Sequence, residues 1–528
     1  MVKRLRLVLI AAVLLSAVCW QTISGQSIPQ DWFHLDPKLD HYYGVSDNRA
    51  YSELLKNLTR HTVIVAIIDG GTDVEHPDLK ANVWTNPKEI SGNGIDDDGN
   101  GYIDDIHGWN FIGGKDGDVQ YDNLEITRVY RDLNARFGNS DSSKISPADK
   151  ADYERYLKVK QDFTREAMTS KFNYTLYGNM AKSLQRLSAE LSNDDPTADQ
   201  VSSFQPENDS LAIAKNLLLS FLSHGYSLHD ALREMNDGVM EVQAQVNYMY
   251  NLDFDPRYIV GDNYKDASER IYGNNDVKGP ESMHGTHVAG IIGAVRGNGE
   301  GVEGIAANNV RLMIVRVVPD GDERDKDVAN GIRYAVNNGA KVINMSFGKS
   351  YGYNKAAVDE AVKYAASKDV LLVHAAGNDS KDDDVNDHYP NAHYSDGTGT
   401  ATNWIEVGAS SYDKNVASFS NYGRRSVDLW GPGVKIYSTV TDAKYQNLQG
   451  TSMASPAVAG VAAIIRAYFP GLTAIQVREV LMKSVVKIPG KITLPGSDNK
   501  KIKLKKISQT NGVVNAYNAV KIAEKMKQ

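Results

Sequence analysis

Residues 62–69, with the sequence Thr-Val-Ile-Val-Ala-Ile-Ile-Asp, form an unbroken apolar run that ends in a carboxylate. A run of β-branched residues without polar alternation is typical of a strand that is buried on both faces of a parallel sheet. Similar runs follow at residues 311–318, 341–345, 370–374 and 405–409, and stretches rich in helix formers lie between them at residues 327–338 and 356–367. This alternation predicts an α/β fold built on a doubly wound, mostly parallel sheet.

Composition limits the classes of protein to which the chain can belong. Of its 528 residues, 41% are hydrophobic and 23% are charged, as in ordinary globular proteins, so wholesale disorder and fibrous repeats are excluded. The net charge of -8 disfavours electrostatic binding of nucleic acid, and we expect no nucleic-acid partner. The single cysteine, Cys19, excludes a disulfide within the chain and a metal site built from several thiolates.

The start of the chain has the pattern of a secretory signal. Three basic residues precede an apolar run over residues 7–18, and more polar residues follow. The run is shorter than the roughly 20 residues of a membrane span, and no second run of that length follows, so we expect no transmembrane helix. We expect residues 1–25 to direct export to a secreted, periplasmic or cell-surface location. A lipid anchor on Cys19 is an alternative, although Val18 stands where such motifs usually have Gly or Ala.

Four short segments place a polar side chain at the end of a predicted strand or at the start of a predicted helix. They are Asp69-Gly-Gly71, His284-Gly-Thr-His-Val-Ala-Gly290, Val373-His-Ala-Ala-Gly-Asn378 and Gly450-Thr-Ser-Met-Ala-Ser-Pro456. Each has a purely structural explanation when taken alone. A strand-end aspartate and a Gly-Asn pair are common in turns, a helix histidine such as His287 packs in a core, and a serine at a helix start caps that helix.

The four segments are far more specific together than apart. Asp69, His284 and Ser452 follow the Asp–His–Ser chain order of subtilisin-type triads. With Asn378 between the histidine and the serine, the chain resembles the subtilisin-like serine endopeptidases, or subtilases. Matching segments also include Asn344-Met-Ser-Phe-Gly348, Val416-Ala-Ser-Phe-Ser-Asn-Tyr-Gly423 and Trp430-Gly-Pro-Gly433, so that the resemblance covers residues 62–118 and 279–470.

The resemblance implies a mechanism and a class of substrate. Ser452 would attack a peptide carbonyl, His284 would take and return the proton, and Asp69 would hold the imidazole in the useful tautomer. The side-chain amide of Asn378 and the backbone N–H of Ser452 would form the oxyanion hole. A protein or peptide substrate would pair as an added strand with two segments, whose residues are Ser346, Phe347, Gly348, Ala375, Ala376 and Gly377.

Two other functions stay open at this point. A catalytically silent surface protein would keep the subtilase fold and bind partners through a helical insertion, although all four catalytic positions are intact. An esterase would use the same site on small esters.

These patterns divide the chain into a signal, an arm, a catalytic domain and an insertion. The boundaries are residues 1–25 for the signal peptide, 26–61 for the N-terminal arm, 62–118 with 279–528 for the subtilisin-like catalytic domain and 119–278 for the helical insertion. The insertion is charged and has helical periodicity, and it explains the long separation of the catalytic aspartate and histidine. Both a solvated accessory bundle and a binding module fit it. We expect the arm to pack on the catalytic domain, which would fold without a separate prodomain.

An acidic loop predicts a calcium site. Asp96, Asp98, Asn100 and Asp104 place oxygen ligands at spaced positions around glycines, like the first half of an Asp-x-Asp-x-Asn-Gly calcium loop. The twelfth position, which is a glutamate in an EF-hand, is His107 here, so this would be a loop site of another kind. A solvated acidic turn is the alternative. We expect a structural calcium ion.

Overall fold

The computed structural model describes residues 28–306 and 309–526. The expected signal over residues 1–25, with Cys19, lies outside the described residues. Among those that are described, no helix is both long enough and apolar enough to cross a membrane.

The described chain divides into two compact units. Residues 121–255 form the smaller one, called the helical unit below, and the other described residues form the sheet unit. The helical unit is shorter than the predicted insertion of residues 119–278. Residues 256–278, which the predicted insertion includes, belong to the sheet unit, where Tyr272 joins the hydrophobic core and the Val277 carbonyl accepts the backbone N–H of Thr72.

The strands of the described chain all lie in the sheet unit. In chain order they are β1 (Val63–Asp69), β2 (Gly108–Asn110), β3 (Gly113–Gly114), β4 (Gly117–Asp118), β5 (Val310–Arg316), β6 (Val342–Met345), β7 (Leu371–Ala375), β8 (Trp404–Ser410), β9 (Leu429–Pro432), β10 (Ile436–Val440), β11 (Lys444–Leu448), β12 (Val486–Lys487), β13 (Ile492–Thr493), β14 (Lys501–Ile502) and β15 (Gly512–Val513).

The α-helices occur in both units. In chain order they are α1 (Asp47–Ala50), α2 (Glu125–Phe137), α3 (Lys150–Leu191), α4 (Ala198–Ser203), α5 (Asp209–Ser223), α6 (Leu228–Ala244), α7 (Arg257–Val260), α8 (Met283–Gly293), α9 (Asp325–Asn337), α10 (Lys355–Ser367), α11 (Thr451–Tyr468), α12 (Ala474–Ser484) and α13 (Ala516–Met526).

A nine-stranded sheet forms the centre of the sheet unit, in the order β12-β15-β9-β8-β7-β6-β1-β5-β2. All neighbouring pairs are parallel except β12 with β15. The five strands predicted from apolar runs are β1, β5, β6, β7 and β8, which are adjacent at the middle of the sheet. The predicted α/β fold with a mostly parallel sheet is therefore confirmed.

Helix α11 is the most deeply buried helix segment of the active-site region, with all of its residues buried. Its sequence is rich in Ala, Gly and Val, which suits a helix that is covered on every side. It packs against β6, β7, β8 and β9, so its first turn lies near the carboxyl ends of those strands.

The helical unit has a hydrophobic core of its own. Side chains of α3, α5 and α6 meet there, and Leu184, Leu217, Leu218 and Met235 are completely buried. The start of α6 is fixed by a capping box, in which Ser227 accepts a backbone hydrogen bond from Asp230 and the Asp230 carboxylate accepts one in return. Burial of an amphipathic face is what stabilises helices of this kind.

The N-terminal arm packs on the sheet unit. Trp32 is completely buried and its indole N–H donates to the carbonyl of Lys435 at 3.1 Å. At the start of α1, the carboxylate of Asp47 lies 2.8 Å from His34 Nδ1 and 2.6 Å from the guanidinium of Arg296. A buried tryptophan and a buried ion pair together fix this arm on the domain.

Candidate active site

The carboxyl ends of three adjacent strands, β1, β6 and β7, meet at one edge of the sheet. Asp69 is the last residue of β1, Ser346 directly follows β6, and Ala375 is the last residue of β7. In open α/β sheets the crevice outside the carboxyl ends of the strands is where ligands bind. The sheet thus positions the predicted acid and both predicted substrate segments side by side.

Asp69 and His284 are hydrogen-bonded. The distance between Asp69 Oδ1 and His284 Nδ1 is 2.8 Å, and the same carboxylate oxygen accepts the backbone N–H of Gly70. Asp69 is buried, whereas the side chain of His284 is 23% exposed. Because a carboxylate accepts hydrogen bonds, Nδ1 carries the proton and Nε2 is left as a free base. Among the described residues, Nε2 has no hydrogen-bond partner.

A glycine lets helix α8 bring His284 to the end of β1. A Cβ atom on Gly285 would lie only 2.1 Å from the carbonyl oxygen of Gly71. No larger residue could occupy this position unless the helix moved away from the strand end. The small residues of the His-Gly-Thr-His motif therefore set the distance between acid and base.

Ser452 lies in the first turn of α11, where free backbone N–H groups and the helix dipole favour negative charge. Its hydroxyl donates to the carbonyl of Ser346 at 3.1 Å, and the Ser346 hydroxyl donates to the carbonyl of Ser452 at 2.9 Å. The Ser452 hydroxyl is thus held against the residue that follows β6.

The orientation of the Asn378 amide is set by Thr451. Asn378 Oδ1 accepts the backbone N–H of Thr451 at 2.9 Å and its hydroxyl at 3.1 Å. With the oxygen turned toward the start of α11, the amide NH₂ group is free to donate to a ligand in the crevice. Thr451 was not among the predicted site residues, although its place directly before Ser452 was a signal that could have indicated it.

The second histidine of the motif, His287, has a structural place, as expected. It is completely buried, and its Nε2–H is shared between the carbonyl oxygens of Ile436 and Gln446 at 3.0 and 3.1 Å. Burial lowers the pKa of His287 to about 3, so it is neutral at physiological pH.

Both predicted substrate segments adjoin the start of α11. Ser346, Phe347 and Gly348 continue from β6, and Ala375, Ala376 and Gly377 continue from β7. Gly377 has a φ of 105°, in the region that favours glycine, and its N–H donates to the hydroxyl of Thr451 at 3.1 Å. One residue of each segment, Ser346 and Gly377, is thus hydrogen-bonded to the first turn of α11.

The acidic loop brings together a different set of oxygen atoms from the one predicted. Carboxylate oxygens of Glu89, Asp96 and Asp98 all lie within 4.8 Å of one another. Glu89 Oε2 is buried without a hydrogen-bond partner among the described residues, so the cluster has a free ligand atom that is shielded from water. Carboxylate oxygens are the ligands that Ca²⁺ prefers, and three carboxylates with one unsatisfied oxygen fit that ion.

The other two predicted ligands have different partners. Asn100 uses its amide NH₂ for Asp105 and its oxygen for the N–H of Tyr102. The carboxylate of Asp104 accepts the N–H groups of residues 92, 93 and 94 and lies outside the cluster. Glu89, which joins the cluster, has no distinctive spacing in the sequence that could have indicated it.

The chain is similar in sequence to known proteins. The sequence model of the Subtilase family matches residues 60–517. Thermitase of Thermoactinomyces vulgaris is 36% identical over 268 residues, which cover 49% of this chain and 85% of that protein. Subtilisin DY of Bacillus licheniformis is 40% identical over 207 residues, which cover 39% of this chain and 71% of that protein.

A solved protease structure from Pseudoalteromonas arctica covers 94% of this chain and 97% of its own, with 21% identity and a TM-score of 0.48. This likeness is too distant to carry an argument. The family match and the coverage of thermitase are sufficient to assign the family. The chain belongs to the subtilase family and is a subtilisin-like serine endopeptidase.

Proposed function

We propose that Asp69, His284, Ser452 and Asn378 hydrolyse peptide bonds through an acyl-enzyme intermediate. The observation that carries the proposal is the 2.8 Å bond between Asp69 Oδ1 and His284 Nδ1, which directs a free basic Nε2 away from the sheet. A nucleophile, a base and an orienting carboxylate in this chain order are what acyl transfer by a serine needs.

The first half of the reaction forms the acyl-enzyme. Ser452 Oγ leaves the Ser346 carbonyl and attacks the substrate carbonyl carbon, while His284 Nε2 takes the hydroxyl proton. The new C–O bond gives a tetrahedral oxyanion. Collapse of that species breaks the C–N bond, and the imidazolium gives its proton to the departing amine. Asp69 stays ionised and stabilises the imidazolium throughout.

The second half restores the enzyme. A water molecule gives a proton to His284 and attacks the acyl carbon, and the tetrahedral intermediate then releases Ser452, which recovers its proton. In both halves the oxyanion receives hydrogen bonds from the Asn378 amide and from the backbone N–H of Ser452. Thr451 supports this role, since its two hydrogen bonds hold the amide oxygen away from the oxyanion.

The substrate is an extended protein or peptide chain. It pairs with the backbone of residues 346–348 on one side and residues 375–377 on the other, as an added strand.

Calcium has a structural part in this proposal. Glu89, Asp96 and Asp98 hold the ion, and its charge offsets the repulsion among three carboxylates in one loop. The unpaired Glu89 Oε2 supports the assignment. The ion takes no part in the chemical steps, and this chain's own residues supply every proton and nucleophile.

The helical unit is an insertion in the catalytic domain between Asp69 and His284, and residues 1–25 direct export of the protein. Support for these two assignments comes from the chain order of the units and from the basic and apolar pattern of the first residues.

A fluorophosphonate probe tests the proposal. Wild-type protein should be labelled and should digest casein, and Ser452→Ala should lose both properties. Ser418→Ala removes an exposed serine and serves as the matched control that keeps both. Labelling of the Ser452→Ala protein would show that another residue is the nucleophile, and hydrolysis of small esters without casein digestion would indicate an esterase.

A further inference from the structure

The imidazole of His388 lies between the two segments that flank the proposed substrate. A Cβ atom on Gly348 would lie 2.4 Å from His388 Nε2, and one on Gly377 would lie 3.0 Å from His388 Cε1. Contacts this short mean that the ring already occupies the space in front of both glycines. The crevice between the segments is therefore closed by a side chain from the connection between β7 and β8.

Backbone pairing holds His388 beside Gly348. The next residue along the connection, Tyr389, exchanges two backbone hydrogen bonds with Lys349, the residue after Gly348, at 2.9 and 2.8 Å. Because Tyr389 and Lys349 directly follow His388 and Gly348, these two bonds restrict movement of the histidine away from the glycine. The ring is thus a fixed part of the crevice wall.

The ring itself is buried and polar. His388 is 8% exposed, one ring nitrogen is hydrogen-bonded to the backbone of Ala375, and Nε2 has no partner among the described residues. Burial lowers the pKa of His388 to about 4, so the ring is neutral at physiological pH. A buried polar atom without a partner is unusual for a side chain that only fills a core, where an apolar residue would serve better.

The crevice is placed to receive one particular substrate side chain, and this step rests on the proposed function. Ser346 contacts the Ser452 hydroxyl and Gly377 contacts Thr451, so the two segments adjoin the nucleophile on either side. The residue whose carbonyl Ser452 attacks must lie there, and its side chain must enter the space between the segments. The His388 ring lies against both glycines that border that space.

We propose that His388 shortens this pocket and makes the enzyme selective for small side chains, namely glycine, alanine or serine, at the residue before the cleaved bond. Large aromatic and branched aliphatic side chains collide with the imidazole. The selectivity is steric, because the ring fills the volume that a phenylalanine or leucine side chain would need.

A series of peptide nitroanilides that differ only in the residue before the leaving group tests this proposal. For the wild-type enzyme, kcat/KM should be at least about tenfold higher with alanine than with phenylalanine or leucine, the range that a misfit of a few methylene groups produces. A wild-type preference for phenylalanine or leucine overturns the proposal without the need for any variant.

Variants at position 388 then separate size from chemistry. His388→Gly should raise kcat/KM for the phenylalanine substrate at least about tenfold, with His388→Ala as the milder opening if the glycine variant does not fold. His388→Leu, which keeps the bulk and removes the nitrogen atoms, should keep the preference for alanine. His393→Gly makes the same change at an exposed histidine of the same connection and should leave the whole profile unchanged.

The outcomes distinguish this inference from the proposed function. An enzyme that reacts with the fluorophosphonate probe but shows no change of profile in His388→Gly and His388→Ala contradicts the role of His388 alone. A protein that neither reacts with the probe nor cleaves any substrate of the series contradicts the proposed function. A phenylalanine preference that appears only after the pocket is opened supports both.

Discussion

The sheet edge and the acidic loop were both predicted from polar residues in a recognisable pattern, and they differ in how well the pattern foretold the geometry. At the sheet edge, Asp69 and His284 are hydrogen-bonded, and Asn378 and Ser452 lie at the same edge. In the loop of residues 86–105, Asp96 and Asp98 share a carboxylate cluster with Glu89, which was not predicted, whereas the carboxylate of Asp104 accepts backbone N–H groups instead.

The difference has a physical cause. Asp69 ends a strand whose register is fixed on both sides by ladders to β5 and β6, so its side chain has one direction in which to point. A loop carboxylate such as Asp104 has no ladder, and its oxygens instead accept N–H groups of a nearby turn. The spacing of residues in the sequence therefore predicts their geometry where hydrogen-bonded strands carry them. Where a loop carries them, the sequence predicts only which residue types are present.

The strongest test of the sheet edge asks whether its residues act as one unit. Ser452→Ala and His284→Ala should each lower kcat by about 10⁶-fold, the size of the effect in subtilisin itself, because either change removes the nucleophile or its base. The double variant should be no slower than the single ones, since the remaining activity comes from binding and from the oxyanion donors. Hydrolysis of an alanine-containing peptide nitroanilide measures all three proteins.

The control for this test is Ser418→Ala, which alters an exposed serine and should leave kcat unchanged. If the double variant were a further thousandfold slower, the serine and the histidine would contribute independently, and a shared proton-transfer step would be contradicted.

A second, smaller effect is expected from the amide donor. Asn378→Ala should lower kcat by about 10²–10³-fold with little change in KM, because the lost hydrogen bond forms fully only with the oxyanion. Asn386→Ala, at an exposed asparagine of the same connection, is the matched control. A rise in KM at constant kcat would instead place Asn378 in ground-state binding.

The acidic loop is tested by calcium itself. In a Ser452→Ala background, which prevents self-digestion, calcium at about 100 times its Kd should stabilise the fold by about 2.7 kcal/mol and raise Tm. Glu89→Gln and Asp98→Asn should lose this gain, since each removes a ligand charge. Thermal unfolding with calcium or with a chelator gives the comparison.

Two further variants decide which set of ligands is right. Asp104→Asn should lower Tm equally with and without calcium, because its carboxylate holds a backbone turn. Glu75→Gln changes an exposed acid elsewhere and should have no effect on the calcium gain. If Asp104→Asn abolished the gain while Glu89→Gln kept it, the ligands predicted from sequence spacing would be the correct ones.

Most of the central sheet could be predicted, because long apolar runs of this length are typical of strands that are buried on both faces of a parallel sheet. The edge strand β2 and the inner strand β15 escaped prediction, since two or three residues are too short to show a pattern and tertiary pairing alone makes them extended. Residues 256–278 were predicted as part of the insertion because they are charged and contain no long apolar run, whereas burial of Tyr272 places them with the sheet unit.

The identities of the site residues could be predicted, but their hydrogen bonds could not. The resting bond of Ser452 to the Ser346 carbonyl depends on which acceptor is nearest in three dimensions. The contacts of Thr451 and Glu89 also depend on which groups are nearest in three dimensions. Glu89 joins its carboxylate cluster only when the loop folds. His388 lies in no motif, and its position between two glycines follows from backbone pairing at Tyr389.

The two histidines of helix α8 give the finest comparison, because they are three residues apart and differ in burial and in hydrogen-bond partners. The pKa of His287 lies near 3, well below its ordinary value of 6.5, owing to burial. Between those pH values the unfolded chain binds a proton that the folded chain does not, so acidification favours unfolding. Above pH 6.5 the effect is absent.

His287→Gln should therefore reduce the loss of unfolding free energy on acidification from pH 6 to pH 4.5, by about 1.4 kcal/mol per pH unit. Denaturant unfolding in the Ser452→Ala background, with calcium present, measures this slope, and His393→Gln, at an exposed histidine, should leave it unchanged. An unaltered slope in His287→Gln would mean that His287 binds its proton in the folded state too. The burial that distinguishes it from His284 would then have no electrostatic consequence.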